Sequence, residues 1–335
     1  MRTGGQRHLK RRIFLWAILA VGLFSICGPA PTQGQEAAFP TKPVEIIVPF
    51  GPGGIIDTGA RIFSDALSRE LKTSVVIKNV TGGGGLMGST AFYNNTKPDG
   101  YTLLAASGGA VISKILLSKN PAFDPRKDFL PVAYIADAPV AMSVPKSSPF
   151  KSFDEFLKFA QDNPGRLKGG VSSLGGETHI LFVTLTGEKK IETKMIPYPA
   201  TGQLVTAMLG EHLDWMTLSL PATMPYEKSG DVRILLLTDR SSELPGVPSG
   251  PDVGIPSASV SIWMGLFALP QTPKPAYDKL VSAVNAACKD AETSQKLAKA
   301  GFNVSYKNPQ VFSKLLDDQW DIFSRALDAS GLKAK

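Results

Sequence analysis

The sequence contains few of the residues that usually build metal centres and disulfides. Its 335 residues include two cysteines and three histidines. No H-E-x-x-H and no C-x-x-C motif occurs, which argues against a zinc site. Of the two cysteines, Cys288 lies beyond the N-terminal segment, so we expect no internal disulfide. It falls in a helical apolar pattern, which is typical of a small buried hydrophobic residue.

The usual signatures of catalysis are also missing. Neither glycine-rich loop of the chain ends in the lysine of a P-loop, which argues against nucleoside triphosphate binding. The segment 169–176, G-G-V-S-S-L-G-G, does not supply G-x-S-x-G. His179 is close enough to Ser172 and Ser173 to suggest a general base. The favoured interpretation is that it anchors a helix start or donates a hydrogen bond to a ligand, so no enzyme is indicated.

The N-terminal segment is typical of an export signal. Lys10, Arg11 and Arg12 precede an uncharged apolar run over 13–27. This run is too short for a membrane span, which needs roughly 20 residues. A basic start, a short apolar stretch and then small and polar residues predict a secretory signal peptide over residues 1–34. We therefore expect a periplasmic protein.

The cleavage point and the fate of this segment stay open. Gly34 and Ala37 both offer a small residue before a cut, whereas Pro31 argues against a cut after Ala30. Lipid anchoring at Cys27 is a minor alternative, because the bulky residue before it is unfavourable for lipoprotein processing. An uncleaved anchor is a further alternative.

Loss of residues 1–34 changes the charge of the protein. The segment holds five basic residues and no acidic ones, so its removal lowers the formal net charge from +7 to +2. No clustered basic surface is then indicated, and nucleic acid is not an expected partner. The remaining chain of about 300 residues is long enough for two domains.

Strand patterns alternate with helical patterns along the rest of the chain. The first strand, Val44–Val48, ends at Pro49. Ser152 and Glu155 form a capping box at the start of a helix that ends near 163. Other strands are expected at 75–77, 101–105, 140–144, 168–171, 213–218, 232–238, 262–269 and near Val304, and other helices at about 57–71, after the loop at 82–85, and at 177–187, 201–210, 275–289, 292–300 and 308–329. This alternation predicts an α/β fold of mostly parallel sheets flanked by helices. Because no linker is evident, the chain should cross between two domains on ordered strands.

Two glycine-rich loops each connect a strand to a helix, at 49–57 and 81–88. Glycine lets backbone N–H groups approach a ligand, and the following helix presents free N–H groups, so the pair suggests an anion site. The segment Gly83–Gly88 fits G-x-G-x-x-G, but acidic residues are absent from 89 to 98, which disfavours a dinucleotide site. Asp57 is better interpreted as a helix N-cap than as a catalytic group.

Small polar residues lie at other loop positions, as neutral hydrogen-bond donors would around a ligand: Ser107, Ser172, Ser173, Thr178 and Thr201. Such hydroxyl and backbone dipoles can hold a carboxylate without a partner cation.

Six segments in order carry a family resemblance. They are 39–61 (F-P-T-K-P-V-E-I-I-V-P-F-G-P-G-G-I-I-D-T-G-A-R), 98–104 (P-D-G-Y-T-L-L), 172–179 (S-S-L-G-G-E-T-H), 196–202 (I-P-Y-P-A-T-G), 244–249 (L-P-G-V-P-S) and 263–270 (W-M-G-L-F-A-L-P). Together they resemble the substrate-binding proteins of tripartite tricarboxylate transporters, the TctC or Bug family. Each motif alone is weak, but the combination covers essentially the whole chain after residue 38.

The resemblance implies a two-lobed periplasmic-binding-protein-like (type II) fold with a closing ligand cleft between the lobes. Residues 38–137 and 262–335 would form one lobe and 138–261 the other. The protein would be a monomer without cofactor that captures a small carboxylate for the membrane subunits of such a transporter. The candidate ligand-binding residues are Phe50, Gly53, Gly54, Ile55, Ile56, Asp57, Gly85, Met87, Ser107, Ser172, Ser173, Leu174, Gly175, Thr178, His179, Ala200 and Thr201. A solute sensor that presents the ligand to a membrane receptor, and more remotely an exported hydrolase, are the alternatives.

The sequence departs from the family pattern in ways that suggest an apolar ligand. Ile55-Ile56 replaces a small or Thr-containing pair, Pro199-Ala200-Thr201 replaces a Lys-Gly pair, and Leu218 replaces an acidic residue. We therefore expect a hydrophobic or aromatic carboxylate rather than citrate. Trp215 and Trp263 are candidates for the cleft wall, although burial in the core is favoured for both.

Overall fold

The computed structural model describes residues 39–172, 174–198, 201–241, 243–258 and 260–332. The predicted signal segment, 1–34, lies outside the described residues. From Phe39 onward the chain forms one compact unit. Within the described ranges, no helix is both long and apolar enough to cross a membrane.

Strands and helices alternate as the hydrophobic pattern predicts. The strands are β1 (Val44–Val48), β2 (Val75–Asn79), β3 (Thr102–Ala106), β4 (Leu130–Ala138), β5 (Val140–Pro145), β6 (Lys168–Val171), β7 (Lys194–Pro197), β8 (Trp215–Ser219), β9 (Val232–Leu237), β10 (Ile262–Ala268) and β11 (Asn303–Lys307). The helices are α1 (Ile55–Leu71), α2 (Leu86–Asn95), α3 (Lys114–Leu116), α4 (Pro125–Asp128), α5 (Phe153–Asp162), α6 (Glu177–Glu188), α7 (Thr201–Leu209), α8 (Leu220–Lys228), α9 (Lys274–Cys288), α10 (Ala291–Lys299) and α11 (Pro309–Ala329). Short helical turns occur at Gly83–Gly85, Gly109–Ser113, Pro251–Val253 and Pro256–Ala258.

These strands form two sheets. One has six strands in the order β11-β4-β10-β3-β1-β2, and the other has five in the order β7-β6-β8-β5-β9. We call the first sheet with its helices lobe 1 and the second with its helices lobe 2. The chain leaves lobe 1 directly from β4 into β5, as expected, but it returns from β9 to β10 through the longer segment 238–261, which includes two short helical turns. The domain boundaries given above stay a prediction.

The α/β fold class is confirmed, but the sheets are mixed rather than mostly parallel. β1 pairs in parallel with β2 and β3, whereas β10 runs antiparallel to both β3 and β4. In lobe 2, β6 is parallel to β7 and β8, whereas β5 is antiparallel to β8 and β9. The antiparallel pairs arise because the chain passes from one lobe to the other and back. The strand that leaves a lobe, such as β4, and the neighbouring strand that returns to it, such as β10, run in opposite directions.

The apolar face of α1 shows how these elements pack. Ile56, Ala60, Phe63 and Leu67 recur at helical spacing, and each is at most 2 % exposed in the core of lobe 1. Burying each of the larger side chains contributes about 1.5–3 kcal/mol. Cys288 is also buried, and burial raises the pKa of its thiol to about 12, as expected for a structural residue.

Both candidate tryptophans belong to the core. Trp215 stacks on Phe182 with ring centroids 4.4 Å apart, and it is fully buried in lobe 2. Trp263 is fully buried in lobe 1, where its Nε1–H donates a 2.6 Å hydrogen bond to Gln319 Oε1. The alternative that these rings line the cleft is therefore wrong.

The two lobes also contact each other through helices. α6 of lobe 2 packs against α11. Ile180 of α6 lies in the same apolar cluster as Phe323 and Leu327 of α11. A second contact joins Gly301, which has a φ of +84°, to Pro221 at the start of α8.

Candidate functional site

The loop after β1 ends at a helix start without a side-chain cap. Gly54 is the N-cap of α1, with a φ of −69° and a ψ of 163°. The N–H groups of the first helical turn have no partner within a helix, and glycine has no side chain to offer them. Ile55 and Ile56, the first two residues of α1, therefore present unsatisfied donors beyond the carboxyl end of β1.

Asp57 fixes the shape of this loop. Its Oδ2 accepts hydrogen bonds from Gly53 N–H at 2.9 Å and Arg61 Nε at 3.0 Å, and its Oδ1 accepts one from Asn79 Nδ2 at 2.7 Å. Asn79 Nδ2 also donates to the carbonyl of Phe50 at 2.9 Å. Burial raises the pKa of Asp57, but these hydrogen bonds outweigh burial and hold the pKa below its usual value.

The expectation that Asp57 is the N-cap is wrong. Gly54 holds that position, and Asp57 lies three residues further, inside the first turn of α1. From there its carboxylate reaches back to the N–H of Gly53, one residue before the N-cap, whereas the acidic residue of a capping box bonds to the N-cap N–H itself. The side chain is 2 % exposed, and both of its oxygens are bonded to protein groups.

The second glycine-rich loop packs beside the first. Gly82, Gly83, Gly84 and Gly85 all have positive φ, from +60° to +136°, which is the region that favours glycine. Gly85 is the N-cap of α2. A Cβ at Gly85 would lie 2.6 Å from the Cβ of Ala110 and 3.3 Å from Cε1 of Phe50. This glycine therefore brings the first loop against the turn that follows β3.

The third loop, which follows β6, leads to a second helix start without a side-chain cap. Gly176 is the N-cap of α6, with a φ of −75° and a ψ of 174°. The preceding Gly175 has a φ of +77°, and its N–H donates a 3.1 Å hydrogen bond to Nδ1 of His179. This loop is thus held from within, as the first loop is held by Asp57.

His179 is a buried neutral residue. It is fully buried, and burial, followed by the positive charge of Lys114, lowers its pKa to about 4. Since Nδ1 accepts a hydrogen bond, the proton of the neutral ring is on Nε2. That atom has no partner among the described residues. His179 anchors its helix start, as predicted, and the bond from Gly175 occupies the lone pair with which Nδ1 would accept a proton.

Contacts between the lobes bring the second and third loops together. The Lys114 ammonium, in lobe 1, donates a 3.1 Å hydrogen bond to the carbonyl of Leu174, in lobe 2. A Cβ at Gly84 would lie 3.0 Å from that ammonium. In the opposite direction, Gly109 N–H of lobe 1 donates a 2.7 Å hydrogen bond to Oε1 of Glu177. The structure thus places a cation and a carboxylate among the predicted loops.

Sequence reasoning missed Lys114 and Glu177. The sequence named no cation for the site, whereas the Lys114 ammonium lies beside Gly84 and donates to the carbonyl of Leu174. Glu177 lies within the segment 172–179 that carried the resemblance, and an acidic residue after Gly175-Gly176 was the available signal. No sequence pattern indicated Lys114, since its hydrogen bond to Leu174 joins the two lobes and Gly84 lies 30 residues away along the chain.

The remaining predicted residues occupy several environments. Ser107 is 3 % exposed, and its carbonyl accepts from the N–H groups of Ala110 and Val111. The Ser172 and Thr178 hydroxyls are 3.4 Å apart. Thr201 is exposed at the start of α7. Ser173 and Ala200 lie outside the described residues.

The apolar surface expected from the sequence is in part buried. Ile56 and Leu218 are each 2 % exposed, so neither side chain provides the apolar wall that was expected. Ile55 is half-buried. Met87 and Leu174, in contrast, are 61 % and 41 % exposed beside the second and third loops.

Surface depressions occur elsewhere in lobe 2. One of about 460 Å³ is lined by residues of 151–157, 234–235 and 246–253 together with Lys189. Another of about 480 Å³ is lined by residues of 240–252. Their lining includes none of the predicted site residues, so they do not alter the placement of the candidate site at the three loops.

Comparison with known proteins matches nearly the whole described chain. Residues 59–332 match the family described as tripartite tricarboxylate transporter family receptor, TctC. The chain is 30 % identical over 322 residues to the "UPF0065 protein in tcbD-tcbE intergenic region" of Pseudomonas sp. (strain P51), covering 95 % of this chain and 94 % of that protein.

Two solved structures with ligands are similar in fold. One is MatC from Rhodopseudomonas palustris with bound malate, at 27 % identity and a TM-score of 0.71, covering 86 % of this chain and 100 % of the other. The second is an R. palustris protein with adipate, at 26 % identity and a TM-score of 0.75, covering 88 % and 98 %. This chain therefore belongs to the TctC family of tripartite tricarboxylate transporter receptors, whose members are periplasmic substrate-binding receptors with a two-lobed fold rather than enzymes.

Proposed function

We propose that this protein captures a small carboxylate-bearing solute in the periplasm and delivers it to the membrane subunits of a tripartite tricarboxylate-type transporter. The solute binds between the lobes, at the loops after β1, β2 and β6. No bond is made or broken. Closure of the cleft around the solute provides the form that the transporter recognises.

The observation that carries this proposal is the pair of glycine N-caps at Gly54 and Gly176. They start α1 and α6, and each follows the carboxyl end of a strand. At the start of α2 the preceding turn already accepts the first N–H groups, since Leu86 N–H donates to Gly83 and Met87 N–H to Gly82. By contrast, α5, α10 and α11 are capped by the side chains of Ser152, Asp290 and Asn308. Uncapped helix starts offer N–H donors and a positive dipole end, which favour a carboxylate.

Exposed apolar side chains beside these loops support a ligand with an apolar body. Met87 and Leu174 are large and exposed, and Phe50 is partly buried against Gly85. Binding sites commonly combine such apolar surface with a few polar groups that set orientation. The relatives with bound malate and adipate make a carboxylate the shared chemical group. A hydrophobic or aromatic carboxylate fits this combination better than citrate.

Contacts between the lobes support closure around the ligand. The hydrogen bonds from Lys114 to Leu174 and from Gly109 to Glu177 join loops that belong to different sheets. A ligand that touches the loops of both lobes favours the closed arrangement by its extra contacts there.

A thermal-shift screen over mono-, di- and tricarboxylates tests this function. A ligand that binds only the folded state raises the melting temperature according to its concentration over its dissociation constant. We expect benzoate-type or long-chain carboxylates to raise it more than citrate does. A preference for citrate would contradict the apolar class, and no response to any carboxylate would contradict carboxylate capture.

A pair of variants locates the site. Gly54→Leu places a bulky side chain at the first helix start, where the backbone φ is one that any residue adopts. It should abolish the ligand-dependent shift while the protein still folds. Gly187→Leu, at an exposed position of α6 with open space around it, is the matched control and should retain the shift.

A further inference from the structure

We propose, on the basis of the function proposed above, that Glu177 restricts this site to ligands with a single carboxylate. Its side chain acts as a carboxylate already present in the site. It occupies a backbone donor that a second ligand carboxylate would need, and it repels that group by charge. Glu177 is thus a specificity-determining residue.

Glu177 projects from lobe 2 into the segment of lobe 1 that borders the site. It is the first residue of α6 and is 8 % exposed. Its Oε1 accepts the 2.7 Å hydrogen bond from Gly109 N–H. A Cβ at Gly109 would lie 2.7 Å from Oε2, so the carboxylate rests directly on the backbone there. The N–H of Gly109 is therefore unavailable to a ligand.

A chain of contacts connects this carboxylate to the first loop. Gly109 precedes Ala110, Ala110 contacts Gly85, and Gly85 contacts Phe50. Phe50 is held by Asn79, which also holds Asp57. A ligand carboxylate bound at the uncapped start of α1 would thus lie at one end of this series of contacts, and Glu177 would lie at the other end.

The cations near the site already have partners, so the local charge balance favours a ligand with one negative charge over a ligand with two. Asp57 is paired with Arg61 at 3.0 Å. The Lys114 ammonium bonds to the Leu174 carbonyl and interacts electrostatically with Glu177. His179 is neutral, with a pKa lowered to about 4. A second ligand carboxylate would therefore meet the charge of Glu177 without a free cation among these described groups, and like charges in a buried setting repel strongly.

This selectivity would distinguish the chain from relatives that bind dicarboxylates. Malate and adipate each carry two carboxylates, and both occur as ligands in the similar structures. Replacing one carboxylate by an ester removes a charge with little change in length. Adipate with monomethyl adipate, and terephthalate with monomethyl terephthalate, are therefore suitable matched probes.

Isothermal titration calorimetry of the purified protein with these pairs tests the inference. We expect the wild type to bind each monoester at least about tenfold more tightly than its diacid. Glu177→Gln keeps an oxygen that accepts from Gly109 N–H and removes the charge. It should bring the two affinities within about threefold, by a gain for the diacid.

Glu192→Gln is the control and should leave the ratio unchanged. Glu192 is exposed and precedes the amino end of β7, whereas the loop that carries Glu177 follows the carboxyl end of the parallel strand β6. Thermal unfolding without ligand checks that both variants fold. If a variant does not fold, the affinities of the wild type for a monoester and its diacid still test whether the site prefers a single carboxylate.

The possible failures are distinct. Equal wild-type affinity for a monoester and its diacid would overturn the selectivity while leaving carboxylate capture intact. Because Gln still accepts from Gly109 N–H, an unchanged ratio in folded Glu177→Gln would overturn charge repulsion by this residue as the source of selectivity. A wild type that binds neither member of any pair, nor benzoate or hexanoate, would instead reject the proposed function.

Discussion

The ammonium of Lys114 donates a 3.1 Å hydrogen bond to the backbone carbonyl of Leu174, which belongs to the other lobe. The same ammonium lies over Gly84 of the second glycine-rich loop. Burial lowers the pKa of Lys114, and the charge of Glu177 partly opposes that effect. One side chain therefore couples two of the three loops and the two sheets.

Replacing this lysine should weaken ligand binding. In Lys114→Met the aliphatic stem is retained, but the hydrogen bond to Leu174 is lost, so the contact between the lobes loses a charged donor. A hydrogen bond to a charged group is worth about 1.5–3 kcal/mol, so we expect at least about tenfold lower carboxylate affinity by calorimetry. Lys119→Met, at an exposed position nearby, is the control. Equal affinities in the two variants would argue against this coupling.

Removing the Asp57 charge should loosen the first loop. Asp57→Asn leaves Arg61 and Gly53 N–H without their anionic acceptor, so we expect the free energy of unfolding to fall by about 1.5–3 kcal/mol at pH 7. The exposed Asp65→Asn on the same helix is the control. Chemical denaturation of the three proteins measures the difference.

The pH dependence of this effect has a defined sign. The folded-state pKa of Asp57 lies below its ordinary value of 3.8. Its stabilisation is therefore fully present above the unfolded pKa and is lost as pH falls through the folded pKa. The stability difference between wild type and Asp57→Asn should shrink as pH falls below about 4. A difference that stays constant down to acid denaturation would exclude the charged form as its source.

A serine at position 54 should compete with the ligand. Gly54 has a φ that any residue adopts, and a Ser hydroxyl there would accept from the N–H groups of the first turn of α1. We expect the unliganded protein to become slightly more stable, by a few tenths of a kcal/mol, and carboxylate affinity to fall about tenfold.

Gly54→Ala separates hydrogen bonding from steric effects. Alanine adds the same Cβ, which would lie 3.3 Å from the Gly51 carbonyl, but offers no acceptor. If Ala and Ser lower the affinity equally, the donors of α1 are not the binding groups. Thermal unfolding and calorimetry give both quantities.

His179 should make the unliganded protein sensitive to mild acid. Its folded-state pKa of about 4 is lower than the ordinary 6.5, so the unfolded state binds more protons between these values. The free energy of unfolding should therefore fall by up to about 3 kcal/mol as pH decreases from 6.5 to 4. His179→Gln should flatten this decline, whereas the exposed His212→Gln should keep it. An equally steep decline in His179→Gln would show that other groups cause it.

Local features explain how much of the fold could be predicted. β1 ends before Pro49 as the sequence indicates, and Ser152 accepts the N–H of Glu155 at the start of α5. Several of the strands and helices that the sequence did not predict contain proline. β4 includes Pro131, β7 ends with Pro197, and α8 includes Pro225 in its interior. Proline argues against the interior strand β4 and against the interior of α8, and tertiary packing overrides that preference in both. β7 is an edge strand, where proline is tolerated.

The candidate site likewise has features that the sequence predicts and features that it does not. The two glycine-rich loops, 49–57 and 81–88, are evident from neighbouring residues in the sequence, although Asp57 rather than Gly54 was expected to be the N-cap. The contact between Gly109 and Glu177 joins residues 68 positions apart across two sheets, and no local pattern encodes it. Side chains such as Ile56 and Leu218 were misjudged because the sequence does not show which face of an element is buried.

The strand order of lobe 1 has a consequence for synthesis. β10 lies between β3 and β4, although the whole of lobe 2 separates it from them along the chain. A chain that emerges from its N-terminal end therefore presents β3 and β4 long before the strand that joins them, and their open edges stay available to other chains until β10 emerges. All strands of the lobe 2 sheet lie within one continuous stretch, 140–237, so this sheet can form without any later segment of the chain. Its earlier completion would leave the closing of the first sheet as the slow, aggregation-sensitive step of biogenesis.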